Sequence, residues 1–143
     1  MMISTRGRYA LQVMTYLAEH EGGYIPLKEV AENEELSQKY LEGIMTSLSK
    51  AGLVEGAHGK GGGYRLLRAP RDYRVGEILR LTEGTLAPVT CLEDGAAACR
   101  HASSCRTLPM WTRLDRMINE FFDGITLEDL MEKEQEKPNA PAV

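Results

Sequence analysis

LSQKYLEGIMTSLSKAGLVEGAHGKGGGYRLL, residues 36–67, is the stretch that decides the fold. Ser37 is a good helix N-cap, because its hydroxyl can accept an N–H of the first turn. Behind it Tyr40, Leu41, Ile44, Met45 and Leu48 recur at helical spacing through Lys50. After Gly52 the period changes. Leu53-Val54-Glu55-Gly56 and Tyr64-Arg65-Leu66-Leu67 read as two strands around the glycine-rich turn HGKGGG. A hairpin directly after such a helix is the wing of a winged helix. GKGGG is not a phosphate-binding loop, since no Gly-Lys-Ser or Gly-Lys-Thr follows and no helix opens there.

Upstream, Pro26 suits the first turn of a short helix over Leu27–Asn33, with Val30 and Ala31 inward. Glu34-Glu35-Leu36 is a tight connection to Ser37, so the two helices resemble a helix-turn-helix. Ser4 or Thr5 caps an earlier helix that runs to about His20 and buries Ala10, Val13, Met14 and Leu17; Gly22-Gly23 ends it. Downstream, Val75–Leu81 is another helix, and Leu86–Val89 is extended because Pro88 excludes helix. Pro109 starts a long helix to Asp123, with Met110, Leu114, Met117, Ile118, Phe121 and Phe122 on one apolar face and Trp111 at its start. Gly124 stops it, and Thr126 with Asp129 caps a last short turn. The expected fold class is mainly α with a small β-hairpin wing. A winged helix-turn-helix covers 1–82, a cysteine loop 83–108, a dimerisation helix and terminal turn 109–131. A charged, then Pro/Ala-rich, disordered tail covers 132–143. The long helix carries more apolar surface than a winged helix can cover, which points to a homodimer seam.

A chain of 143 residues with 43% hydrophobic content supports one domain with a core. No apolar run approaches the length of a membrane span, and the N-terminus lacks the apolar block of a signal peptide. The expected setting is the cytoplasm, with no membrane partner and reduced cysteines. The net charge of −4 is unevenly spread: residues 1–82 hold eleven Lys/Arg and ten Asp/Glu, net +1, whereas residues 83–143 hold six and eleven, net −5. Lys50, Lys60, Arg65, Arg68, Arg71 and Arg74 crowd one stretch against Glu55 and Asp72. A local basic stripe suits phosphate binding whatever the total charge; an ordinary solvated loop is the plainer reading. No Ser/His/Asp set is apparent, the three histidines (His20, His58, His101) are scattered, and no nucleotide fingerprint occurs. An enzyme with a small-molecule substrate is not expected.

Three cysteines sit inside fifteen residues and nowhere else: Cys91, Cys99 and Cys105, spaced C-x7-C-x5-C. Thiolates select zinc, copper(I) and iron–sulfur clusters. The spacing matches no common zinc finger, and the odd count leaves one thiol over from any disulfide. A metal or cluster site and a set of reduced thiols on a loop both remain open at this point.

STRGRYALQVMTYLA, LSQKYLEGIMTSLSKAGLV, GKGGGYRL, VGEILRLTEG, three cysteines and a Trp-led helix closing in ITLEDL follow one another in order. Together they resemble the Rrf-two (Rrf2) family of bacterial winged-helix regulators, over about residues 1–131. The resemblance implies a homodimer with crossed long helices and a double-stranded DNA operator as partner. It also implies an iron–sulfur cluster (2Fe–2S or 4Fe–4S) on Cys91, Cys99 and Cys105, as in the IscR- and NsrR-type members. The implied function is cluster-dependent DNA-binding regulation, by repression. The alternative is a metal-free regulator, either thiol- or redox-sensing or similar to the CymR-type members, which lack those cysteines. The fourth cluster ligand departs from the family: Leu108 stands where IscR-type members carry His, and Arg8 where NsrR-type members use Asp. His101 is the candidate fourth ligand, with Glu93 and Asp94 weaker; the competing readings are an exposed loop histidine and an open fourth iron site. On the DNA side the resemblance implies Thr5, Arg6, Arg8 and Tyr9 at the phosphates. Ser37, Gln38, Lys39, Tyr40 and Glu42 fall on the recognition helix, and His58 and Lys60 on the wing. Gly43 replaces the Gln common in relatives, which implies a different base preference, and His58 replaces the wing-tip Arg, which implies weaker or pH-sensitive minor-groove readout.

Overall fold

Ser4 acts as the first helix cap, and the fold is built on the face that helix buries. In the computed structural model, which describes residues 2–97 and 99–131, its hydroxyl accepts the Gly7 N–H at 3.1 Å. Helix α1 runs Thr5–Glu19 and buries Gly7, Ala10, Val13, Met14 and Leu17, the three-and-four spacing of a core-facing stripe. Helices α2 (Leu27–Asn33) and α3 (Gln38–Lys50) follow. Pro26 stands at the N-cap of α2 rather than inside its first turn. The Ser37 hydroxyl accepts the Tyr40 N–H at 3.3 Å to open α3. Between the helices Glu35 takes a φ of 55° and the Leu36 N–H returns to the Ala31 carbonyl at 2.9 Å. This closes the tight turn.

The wing is an antiparallel pair, β1 (Val54–Ala57) and β2 (Gly63–Leu66), with Val54 opposite Leu66 and Ala57 opposite Gly63. Both strands lie one residue closer to the turn than the sequence suggests. Leu53 is instead a core residue, 3% exposed. Ile25 and Tyr64 exchange two backbone hydrogen bonds of 2.9 Å, which hook the wing onto the segment before α2. Gly63 makes this approach feasible: its φ is 146°, and a Cβ there would collide with the Ile25 carbonyl.

A 3₁₀ turn at Pro70–Asp72 leads into helix α4 (Val75–Glu83), and a second at Thr90–Leu92 follows it. Leu86–Val89 joins no strand among the described residues. Helix α5 spans Leu108–Asp123, one residue earlier than Pro109 suggests, and α6 is Leu127–Leu130. Thr126 and Asp129 form a reciprocal capping box, with bonds of 2.9 and 3.1 Å. The tail expected over 132–143 lies outside the described residues.

The main core joins α1, α2, α3 and the wing base through Val13, Met14, Leu17, Val30, Leu41, Ile44, Met45, Leu48, Val54, Ile78 and Leu127. Tyr73, fully buried, is its one hydroxyl-bearing anchor with three bonds. It donates to the Leu53 carbonyl at 2.6 Å and accepts the N–H groups of Leu67 and Arg68 at 2.9 and 3.1 Å. A second cluster of Val75, Leu79 and Leu86 takes in half-buried Ile118 and Phe122 of α5. Arg80 ties α4 to α5 by two bonds to Asp123, 2.8 and 2.9 Å, and one to Asn119, 2.7 Å. The single apolar face expected for α5 is therefore split. Ile118 and Phe122 pack on α4, whereas Met110, Leu114, Met117 and Phe121 are 37–62% exposed. No helix among the described residues is long and apolar enough to cross a membrane.

Candidate nucleic-acid interface and cysteine loop

Helix α3 exposes one face because Leu41, Ile44, Met45 and Leu48 fill the other. Ser37, Gln38, Lys39, Tyr40 and Glu42 all stand exposed on it. The first turns of α1 lie alongside: the Arg6 guanidinium donates to the Ser47 hydroxyl, and Tyr9 meets Tyr40 edge-to-face at 5.6 Å and 88°. Thr5 and Arg8 are exposed on the same turns. Two segments expected to act together, the start of α1 and the recognition helix, are thus joined by direct contacts. The hydroxyls of Thr46 and Ser47 fold back onto the Glu42 and Gly43 carbonyls at 2.9 and 3.4 Å.

An open groove of about 640 Å³ separates α3 from the wing. Gln38, Glu42, Thr46 and Lys50 line one side, His58 and Tyr64 the other, and Lys28 one end. Lys60 is exposed at the hairpin turn, outside the groove wall. Lys28 was not among the residues expected here. The signal for it was present: with Leu27, Val30 and Ala31 inward, position 28 of α2 must face out.

The basic stripe is less free than its charge count suggests. Arg65 is paired to Glu55 across the hairpin at 2.7 Å and lies over the Tyr24 ring at 4.6 Å. That hydrogen bond holds Glu55 below the usual carboxylate range and Arg65 above its own ordinary value. Arg68 grips Glu77 with two bonds, 2.8 and 3.2 Å, and lies over Tyr73 at 4.3 Å. The Glu77 bond raises Arg68 against the lowering effect of burial. Both guanidiniums brace the wing base, although Arg65 is itself exposed; Lys50, Lys60, Arg71 and Arg74 are exposed as well.

The cysteine loop joins α4 to α5. Cys91 lies in the second 3₁₀ turn and is exposed, Cys99 is exposed, and Cys105 is half-buried; all three are free thiols. Cys105 Sγ is 3.5 Å from Thr107 Oγ1. The Thr107 hydroxyl first, then the Thr107 and Leu108 N–H groups, hold the Cys105 thiol below its usual value. His101 is exposed, and its carbonyl accepts the Ser104 N–H at 3.0 Å. Leu108 is the first residue of α5. Among the described residues no three His, Cys, Asp or Glu side chains come close enough to hold a metal ion, so Cys91, Cys99, Cys105 and His101 are not brought together. The donor chemistry nevertheless fits: three soft thiols, on one loop, are the ligand type of an iron–sulfur cluster.

The profile of the Rrf2 family, described as iron-dependent transcriptional regulators, matches residues 3–133. The HTH-type transcriptional regulator CymR of Bacillus subtilis is 40% identical over 131 residues, 91% of this chain and 89% of that protein. The HTH-type transcriptional regulator IscR of Aliivibrio salmonicida is 36% identical over 132 residues, 92% of this chain and 77% of that protein. The solved structure of T. potens IscR superposes with a TM-score of 0.74 at 36% identity, covering 98% of this chain and 94% of that one. These relatives are named as transcriptional regulators, not enzymes.

Proposed function

The chain belongs to the Rrf2 family of transcriptional regulators, and from that premise we propose that it is a cytoplasmic, homodimeric repressor whose grip on operator DNA is set by an iron–sulfur cluster. The observation that carries the DNA reading is the junction of α1 with α3, where Arg6 meets Ser47 and Tyr9 meets Tyr40. It puts Thr5, Arg6, Arg8 and Tyr9 on the same side as the exposed start of α3. In that arrangement Ser37, Gln38, Lys39, Tyr40 and Glu42 enter the major groove, the usual task of a recognition helix. Glu42 is suited to accept from a cytosine amino group. The α1 turn and Lys60 contact phosphates, and His58 reaches toward the minor groove. Cys91, Cys99 and Cys105 would hold the cluster, which supplies sensitivity to iron or oxidants when bound. His101 is the candidate for the fourth ligand.

A second reading is favoured by a specific observation. Cys105 is the thiol whose neighbours stabilise the thiolate, the trait of a reactive sensor cysteine. In that reading the cysteines act without metal. Anaerobic purification followed by iron and acid-labile sulfide assay separates the two. The cluster reading expects brown protein with both elements, lost in each of Cys91→Ser, Cys99→Ser and Cys105→Ser, with DNA affinity differing between the loaded and stripped forms. Colourless protein whose DNA affinity responds to oxidant through Cys105 alone would overturn it.

A further inference from the structure

We propose that Glu83 is a positioning residue for DNA binding: from the end of α4 it fixes the first turn of α1, which presents Thr5, Arg6 and Arg8. The proposal rests on the assignment of that turn to the DNA face. Glu83 Oε1 accepts the Ser4 N–H at 3.0 Å and the Ser4 hydroxyl at 2.7 Å. The same hydroxyl accepts the Gly7 N–H at 3.1 Å. One carboxylate oxygen therefore holds the cap residue, and the cap residue holds the turn. Hydrogen bonds to an ionised carboxylate are short and strong. A carboxylate at a helix N-terminus is also favoured by the helix dipole, whereas one in a last turn is not. Glu83 lies in the last turn of α4, so its favourable electrostatics come from the start of α1.

Two further contacts make the placement exacting. Gly7 packs so closely on Glu83 that a Cβ at position 7 would overlap the carboxylate. One turn before Glu83, Arg80 anchors α4 to Asp123 and Asn119 of α5. The start of α1 is thereby referenced to α5 through α4. A shift at Ser4 would also move Arg6 relative to Ser47 and Tyr9 relative to Tyr40, the two contacts joining α1 to α3.

The test uses the full chain and a random-sequence duplex, because phosphate anchoring is sequence-independent and shows in the salt slope of affinity. Glu83→Gln keeps the size and an amide oxygen that can face Ser4, but removes the negative charge that makes both Ser4 bonds charge-assisted. It should weaken binding about tenfold, the scale of one lost charge-assisted hydrogen bond, and lower the salt slope by about one unit. Gly7→Ala should weaken binding similarly although alanine is the better helix former. Neither change should weaken binding further in an Arg6→Ala/Arg8→Ala background. Parent-like affinity in both variants, or the same loss in that background, would overturn the proposal. An Arg6→Ala/Arg8→Ala protein that binds like the parent would remove α1 from the DNA face. That result fails the underlying assignment, and this proposal with it, in a variant that leaves Glu83 intact.

Discussion

Tyr73 shows how much one side chain can organise. Its hydroxyl, on a fully buried side chain, serves one carbonyl and two N–H groups at the base of the wing. Replacing it by Phe leaves the buried Leu53 carbonyl without this partner and removes the acceptor of the two part-buried N–H groups. Tyr73→Phe should cost about 1–3 kcal/mol, the usual penalty for orphaned buried groups, read as a lower urea midpoint with an unchanged slope. A midpoint like the parent's would mean that the wing base does not depend on this hydroxyl. Nothing in the sequence distinguishes Tyr73, which sits between Asp72 and Arg74 as if in a solvated loop. The roles of Arg65 and Arg68 were hidden for a related reason. Their partners Glu55 and Glu77 lie ten and nine residues away, and only the folded hairpin and α4 bring them near. The cysteines were legible as donors, because residue type alone carries ligand chemistry. Their geometry was not, because the loop between α4 and α5 has little regular hydrogen bonding to set it.

Elements with a chemical start signal were read well. Ser4, Ser37 and Thr126 each make the capping bond that their side chains suggest, and an apolar stripe of matching period follows the first two. The turns at Pro70–Asp72 and Thr90–Leu92 span three residues each, too few for any period to register. The wing was found but misplaced by one residue, since Leu53 is as apolar as a strand residue while the core claims it. On the wing, Lys60 is exposed and stands clear of the groove. Lys60→Ala should therefore weaken all DNA sequences alike and flatten log affinity against log salt by about one unit. An unchanged slope would take the hairpin turn out of the phosphate contacts. The stripe on α5 illustrates the limit of periodicity. Period shows that Met117, Ile118, Phe121 and Phe122 share one side of the helix, but not which of them α4 covers.

For the whole molecule, the exposed residues Met110, Leu114, Met117 and Phe121 follow a four-three-four spacing, the seam of two packed helices. A homodimer through α5 predicts that Met117→Asp with Phe121→Asp yields monomers or aggregates, because pairing would bury two charges per chain. Sedimentation equilibrium decides this, and a profile like the parent's would exclude the seam. Ile118→Asp should instead unfold the chain, since Ile118 packs with Val75 and Leu79. Such a seam also sets the dose response of the gene. While free subunits predominate, the dimer population follows the square of chain concentration, so halving expression leaves about a quarter of the dimer. Occupancy of the operator then rises more steeply than in proportion to protein abundance, so copy number and translation rate become inputs to control in their own right.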